Sequence, residues 1–152
     1  MYEERGPGCI GCVVLILAII GAVTVYNRVK DGSDGSSGGC SEVESYLEDS
    51  LRFPEESNTR TADMGTGRFS MRTAEAEAAL VRVALATELA REFPTEAADF
   101  HDVAVKSHEV YLQWLDEYAT TGRVEASTMR EYDEVNQDFR DGIRVLATMC
   151  AD

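Results

Sequence analysis

An uncharged apolar segment near the amino terminus constrains this chain more than any other feature. Residues 9–26 read CIGCVVLILAIIGAVTVY and contain no charged side chain over 18 positions. As an α-helix this segment would be about 27 Å long, which is just enough to cross the hydrocarbon core of a bilayer. The sequence therefore predicts a single transmembrane anchor, preceded by a short tail over residues 1–8.

A cleaved signal peptide is the alternative interpretation of the same segment. An uncleaved anchor is favoured because the tail carries Glu3 and Glu4 against Arg5, and no Ala-x-Ala pattern follows the apolar run. Flanking charge does not fix the orientation, since Arg5 and the amino terminus lie on one side and Arg28 and Lys30 on the other. The use of cysteine has to decide it.

The chain beyond the anchor divides into a linker and an acidic domain. Residues 27–40 are rich in Gly, Ser and Asp, which predicts a flexible tether. The whole chain carries a net charge of −14, and without the four acidic and three basic residues before position 41 the charge of residues 41–152 is −13. Such a domain repels phosphate backbones, so we expect no nucleic-acid partner.

The first helix of the domain is predicted from its capping and breaking residues. Ser41-Glu42-Val43-Glu44 has the spacing of a capping box, which indicates that a helix begins there. Pro54 is expected to end this helix near Phe53, because proline disfavours helical geometry in the preceding residue. Residues 54–72 then contain turn-forming residues without a clear period, so a long loop is predicted.

Three further helices are predicted from the spacing of their apolar residues, over 73–93, over 96–120 and from a capping box at Thr128 and Glu131 onward. The second helix has a seam of mostly small residues: Ala76, Ala79, Val83, Ala86, Ala90 and Phe93. The third presents Phe100, Ala104, Tyr111, Trp114, Leu115 and Tyr118, and should end near Gly122. The fourth has heptad spacing at Met129, Tyr132, Asn136, Phe139, Ile143, Leu146 and Cys150. Together these patterns predict an all-α fold, an up-and-down bundle of three to four helices over residues 41–152.

The bundle topology predicts that Cys40 and Cys150 lie together. If the helices alternate in direction, the start of the first and the end of the fourth share one pole. A disulfide there would close a loop of about 100 residues and add about 4–5 kcal/mol in the chain-entropy model. It would also require an oxidising compartment, so we expect an extracytoplasmic domain. The alternative is a stray linker thiol at Cys40 and a buried heptad residue at Cys150.

Other residues with reactive side chains receive structural interpretations. Cys9 and Cys12 have the spacing of a metal or redox pair, but they lie at the head of the anchor and no second pair completes a site. His101 and His108 are seven residues apart, which is too far for both to reach one ion from the same helix. No pattern places a nucleophile near a base, so we expect neither an enzyme nor a cofactor nor a metal site.

One stretch of the acidic domain is basic. Residues 57–72 contain three arginines and a single acidic residue, and they lead into a helix N-terminus, which favours anions. In the bundle this stretch lies at the pole away from the membrane, beside the turn between the third and fourth helices. We expect an acidic protein or an anionic envelope component to bind there, through Arg60, Arg68, an exposed Phe69, Arg72 and Arg123. A surface loop without function is the alternative.

These observations favour a membrane-anchored, non-catalytic, extracytoplasmic helical interaction module, an accessory subunit or scaffold of a cell-envelope complex. Its partners would be the lipid bilayer, through residues 9–26, and a protein of the envelope. Two alternatives stay open. One is a small-molecule or ion-binding sensor-type bundle that acts with a partner protein, and the other is a phage-type envelope protein.

Overall fold

The computed structural model describes residues 38–62 and 68–150, and this part of the chain is helical without any strand. It forms α1 (Gly38–Arg60), α2 (Met71–Leu89), α3 (Ala98–Thr121) and α4 (Ala126–Met149), with a 3₁₀ helix (Thr95–Ala97) leading into α3. The all-α prediction is confirmed. The predicted tail, the anchor and linker residues 27–37 lie outside the described residues, and none of the described helices is long and apolar enough to cross a membrane.

The helices pack as a bundle in which α3 lies between α2 and α4, and α1 closes against α2 and α4. Two poles result. At the near pole, the start of α1 meets the end of α4, where Cys150 Sγ lies 4.0 Å from the carbonyl oxygen of Cys40. At the far pole, the start of α2 meets the end of α3, where the Tyr118 hydroxyl donates to the carbonyl of Phe69 at 3.2 Å.

Helix α1 is longer than predicted at both ends. It begins at Gly38, three residues before the expected capping box at Ser41, and it continues through Pro54 to Arg60. The prediction that Pro54 ends the helix is therefore wrong, and so is the first part of the predicted 54–72 loop. Proline removes one backbone hydrogen bond, but the turn after it is held from outside the helix, because Ser57 and Arg60 both bind Glu77 of α2.

The end of α3 is as predicted, whereas the start of α4 is not. Gly122 ends α3 in the left-handed region at φ 71°, a conformation that glycine adopts without strain. Helix α4 starts at Ala126 rather than at Thr128, so the second capping box is wrong. Its N-terminus is instead bound by Glu117 of α3, which accepts hydrogen bonds from the Glu125 backbone at 2.9 Å and the Thr128 hydroxyl at 2.6 Å.

The predicted core faces of α3 and α4 are confirmed, and the core divides into two clusters. The far half contains the aromatic residues of the middle and end of α3 with residues of α2 and α4: Phe69, Ala74, Ala78, Val81, Val110, Tyr111, Trp114, Leu115, Tyr132 and Val135. The near half is formed mainly by α1 and the opposite ends of α3 and α4: Val43, Tyr46, Leu47, Leu51, Ala97, Phe100, Ala104, Phe139, Ile143 and Leu146. Each half lies beside one buried carboxylate of α2.

Candidate functional site

Helix α2 faces the bundle with a different side from the one predicted. Its buried residues are Ala74, Glu77, Ala78, Val81 and Glu88. The predicted seam lies on the other side of the helix and is exposed at Ala76, Ala79, Val83, Ala86 and Ala90. The prediction for this helix is wrong because α2 carries apolar residues on two sides, and the side with two glutamates looked like the solvated one.

Glu77 is held in the far half by an arginine and a serine of α1. The side chain is only 3% exposed. Arg60 donates to both of its oxygens, from Nε to Oε2 at 2.8 Å and from Nη2 to Oε1 at 3.0 Å, and the Ser57 hydroxyl lies 2.7 Å from Oε1. The hydrogen bonds to Glu77 raise the pKa of Arg60 further. Arg60 therefore stabilises the packing of α1 against α2, although the sequence predicted that it belongs to the partner-binding surface.

Glu88 is held in the near half by four side chains. It is 2% exposed. Arg91 Nε donates to Oε2 at 3.0 Å, while the hydroxyls of Tyr46 and Ser50 donate to Oε1 at 3.1 and 3.2 Å. His101 Nδ1 lies 3.4 Å from Oε1 and 3.0 Å from the Tyr46 hydroxyl. Burial is the main reason why the pKa of Tyr46 is raised.

The carboxylate, phenol and imidazole of the Glu88 cluster resemble a proton relay in composition, but a substrate does not reach them. Tyr46, Glu88 and His101 are all buried. The ring of Phe93 stacks over His101 with the centroids 4.1 Å apart. The cluster therefore supports the packing of α1, α2 and α3 rather than chemistry.

The outer side of α2 forms an exposed apolar surface, which we call the α2 strip. It consists of Ala76, Ala79, Leu80, Val83, Ala86, Thr87 and Ala90. Val83 is 66% exposed, and Leu80 and Leu89 are also exposed. Val83, Ala86, Thr87 and Ala90 line a shallow groove between Arg82 and Arg91.

Charged residues border the α2 strip on both sides. Arg82 donates to Asp116 of α3 at 2.6 Å, and Arg91 Nη1 lies 3.3 Å from Asp49 of α1. Each acidic partner belongs to a row with one-heptad spacing: Asp49 and Glu56 on α1, and Asp102, Glu109 and Asp116 on α3. The strip is thus an uncharged surface with an arginine–carboxylate ion pair on each side.

The far pole contains the exposed arginines that the sequence singled out, but Phe69 is not exposed beside them. Phe69 is 8% exposed and packs against Trp114 and Tyr118, with ring centroids 6.1 and 5.5 Å apart. The expectation that Phe69 is exposed is therefore wrong, because it closes the aromatic far half of the core. Arg68, Arg72 and Arg123 are exposed. Arg72 and Arg123 are neighbours of Met71 and Gly122, which meet at this pole.

The two cysteines meet at the near pole, as the topology predicted. Cys40 Sγ lies 4.0 Å from the carbonyl oxygen of Met149, and Cys150 Sγ lies 4.0 Å from that of Cys40. Both are free thiols in this structure, so the disulfide stays a prediction. Burial, together with the hydrogen bond to Cys40, raises the pKa of Cys150 to about 12.

A small crevice separates the two halves of the core. It has a volume of about 40 Å³ and is lined by residues of α1, α3 and α4, among them Phe53, His108 and Asn136. The His108 Nδ1 atom lies 2.7 Å from the Ala104 carbonyl oxygen. Pockets for organic ligands usually enclose about 300–1,000 Å³, so this crevice suits a water molecule rather than a ligand. Within residues 38–62 and 68–150, no group of three acidic, His or Cys side chains is arranged to hold a metal ion.

Comparisons with protein-family models, with curated proteins and with solved structures found no significant match to this chain. The sequence did not predict that Glu77 and Glu88 are buried or that the α2 strip faces outward. The sequence carried no signal for either, because the partners of the two glutamates include Ser57 and Arg60 of α1 and His101 of α3, which meet α2 only in the folded bundle.

Proposed function

We propose that this protein is a membrane-tethered, non-catalytic interaction module with an extracytoplasmic domain, acting as an accessory subunit or scaffold of a cell-envelope complex. The single observation that carries the proposal is the α2 strip. Apolar residues that are grouped on a surface and bordered by charged ones are typical of protein contact sites.

The orientation of α2 strengthens this argument. Turning the helix by about half a turn would bury Val83 and expose Glu77 and Glu88, which is the arrangement that hydrophobicity alone favours. The domain instead buries two carboxylates, each of which needs several hydrogen bonds to offset desolvation. A partner that covers the strip would bury the outer apolar side of α2, so that both sides of the helix are removed from water in the complex.

The cysteine pair supports an extracytoplasmic location. Oxidation of the pair can begin at Cys40, which would attack the disulfide of a thiol–disulfide oxidoreductase. Its thiolate would form a mixed disulfide, which Cys150 then displaces, so that two electrons and two protons pass to the oxidoreductase. The closed disulfide would tie the bundle at the end where residues 9–26 attach.

The α2 strip can be tested in native membranes with the full-length protein. We expect Val83→Asp to abolish co-purification of a defined envelope protein at fixed stoichiometry. Val145→Asp is the matched control, because Val145 is 60% exposed on α4, outside the strip. Equal co-purification of wild type and Val83→Asp would contradict the proposal, and so would equal loss in both variants.

The exposed arginines of the far pole form a second proposed contact, for an acidic protein or an anionic envelope component. An Arg68→Ala, Arg72→Ala, Arg123→Ala variant keeps Arg60 and Phe69, which the fold needs. We expect this variant to lose binding to anionic vesicles or to an acidic envelope protein while its thermal stability is unchanged. Binding at the wild-type level would remove the far pole from the proposal.

A further inference from the structure

We infer that the α2 strip binds one face of a basic amphipathic helix of a partner protein. The inference rests on the proposed function, because it names the chemistry of the partner at the same surface. The shape of the strip, its bordering charges and the net charge of the domain all favour such a partner.

The shape of the strip suits a helix. Its residues recur at steps of three and four from Ala76 to Ala90, a length of about 21 Å along the helix axis. Four of its members are alanines, so the backbone of a second helix can approach closely, and Val83 supplies one larger contact at the centre. A helix laid along a groove with anchors at this spacing is a common form of peptide recognition.

The bordering charges specify the flanks of that helix. On α3, Asp102 and Glu109 are exposed and lie at heptad spacing from Asp116, which contacts Arg82 at the edge of the strip. On α1, Glu56 is exposed but is already paired with Arg60. Arg82 and Arg91, which lie nearest the groove, are already bound to Asp116 and Asp49. Lys or Arg residues on the α3 flank of the incoming helix would therefore meet Asp102 and Glu109, and acidic residues there would be repelled.

Charge also disfavours a second copy of this chain as the occupant. Pairing of two α2 strips would bring the acidic rows of two domains together, each domain carrying a charge of −13. Like charges in close contact at an interface are unfavourable, and the small residues of the strip do not offset this with large buried area. An unrelated basic helix has no such penalty.

The test uses the full-length protein in an uncharged detergent and two synthetic amphipathic helices of about 20 residues. Both peptides have the same Leu/Ala seam, but one has Lys and Arg on its flanks and the other has Glu. Binding is measured by fluorescence anisotropy at low and high salt. We expect the basic peptide to bind, with affinity that falls as salt rises, and the acidic peptide to bind at least about tenfold more weakly.

The variants assign the binding to the strip. Val83→Asp should weaken binding of the basic peptide by about tenfold or more, while Val145→Asp should leave its affinity unchanged. Equal affinity for both peptides, or equal effects of the two variants, would overturn the inference. A concentration-dependent dimer of the full-length protein that Val83→Asp dissociates would also overturn it, in favour of a second copy.

Failure of this inference is distinguishable from failure of the proposed function. If Val83→Asp removes the envelope partner from native membranes while the basic peptide does not bind, the strip is a contact site for a different chemistry. If Val83→Asp changes neither experiment, both the inference and the proposed function are wrong.

Discussion

The far and near halves of the bundle both bury a carboxylate of α2, but they neutralise it differently. Glu77 depends on Arg60, which donates to both of its oxygens, with Ser57 as the second donor. Glu88 receives one hydrogen bond from Arg91 and shares the remaining contacts among Tyr46, Ser50 and His101. A charge held by one strong partner is sensitive to the loss of that partner, whereas a distributed network is less so.

The two halves also differ in how their poles are closed. Aromatic packing of Phe69 against α3 closes the far pole. Among the described residues of the near pole, the start of α1 and the end of α4 meet through the neighbouring thiols of Cys40 and Cys150. We therefore expect covalent closure to matter most in the near half and side-chain packing to matter most in the far half.

The largest expected effect concerns the near pole. Oxidation of the full-length protein to a Cys40–Cys150 disulfide should raise the free energy of unfolding by about 4 kcal/mol, because it restricts the unfolded chain. Urea unfolding in detergent with and without a reductant measures this difference. A Cys40→Ser, Cys150→Ser variant should match the reduced protein under both conditions, and a difference below about 1 kcal/mol would contradict covalent closure.

The next effect compares one aromatic residue from each half. Phe69→Ala should destabilise the domain by about 3 kcal/mol, since it empties a buried site between Trp114 and Tyr118. Phe93→Ala is the matched change near the other pole and should cost about 1 kcal/mol, because Phe93 is partly exposed. Thermal and urea unfolding would measure both. Equal losses would mean that the far half does not depend specially on Phe69.

The third effect tests how the two carboxylates are held. Arg60→Met should cost about 2 kcal/mol, a value reduced from that of a fully buried pair because Arg60 is about a third exposed. Arg91→Met should cost about 1 kcal/mol, since Glu88 keeps its three other partners. Urea unfolding of both variants gives the comparison. A larger loss for Arg91→Met would reverse the order of the two halves.

The smallest effect concerns the boundary between the halves. Burial lowers the pKa of His108 below its usual 6.5. The unfolded chain therefore binds a proton at this imidazole more readily than the folded protein does. The buried, neutral His108 is fully compatible with the fold above about pH 6.5, and the free energy of unfolding decreases as the pH falls below that value. Unfolding free energies measured between pH 5 and 8 should show this slope, and His108→Gln should reduce it. An unchanged slope would assign the pH dependence to other groups.

Much of the fold could be predicted from the sequence, and the candidate site could be predicted only in part. The core faces of α3 and α4, the end of α3 at Gly122 and the meeting of Cys40 with Cys150 all follow from period, glycine and alternating direction. For the far pole, the sequence predicted that Arg68, Arg72 and Arg123 lie together. It also predicted, wrongly, that Phe69 is exposed and that Arg60 is available to a partner. An aromatic residue in a loop gives no local sign of the rings that will cover it.

The sequence by itself determined that four helices form and that they pack as a bundle, because hydrophobic periodicity and glycine are local properties. Only the tertiary structure decided which side of α2 faces inward, that α1 passes through Pro54, and that Glu117 rather than Thr128 caps α4. Each of these depends on a charge or hydroxyl that meets its partner across two helices, as Arg60 meets Glu77. A helix with apolar residues on two sides is oriented by those pairings, and no periodicity within α2 reveals them.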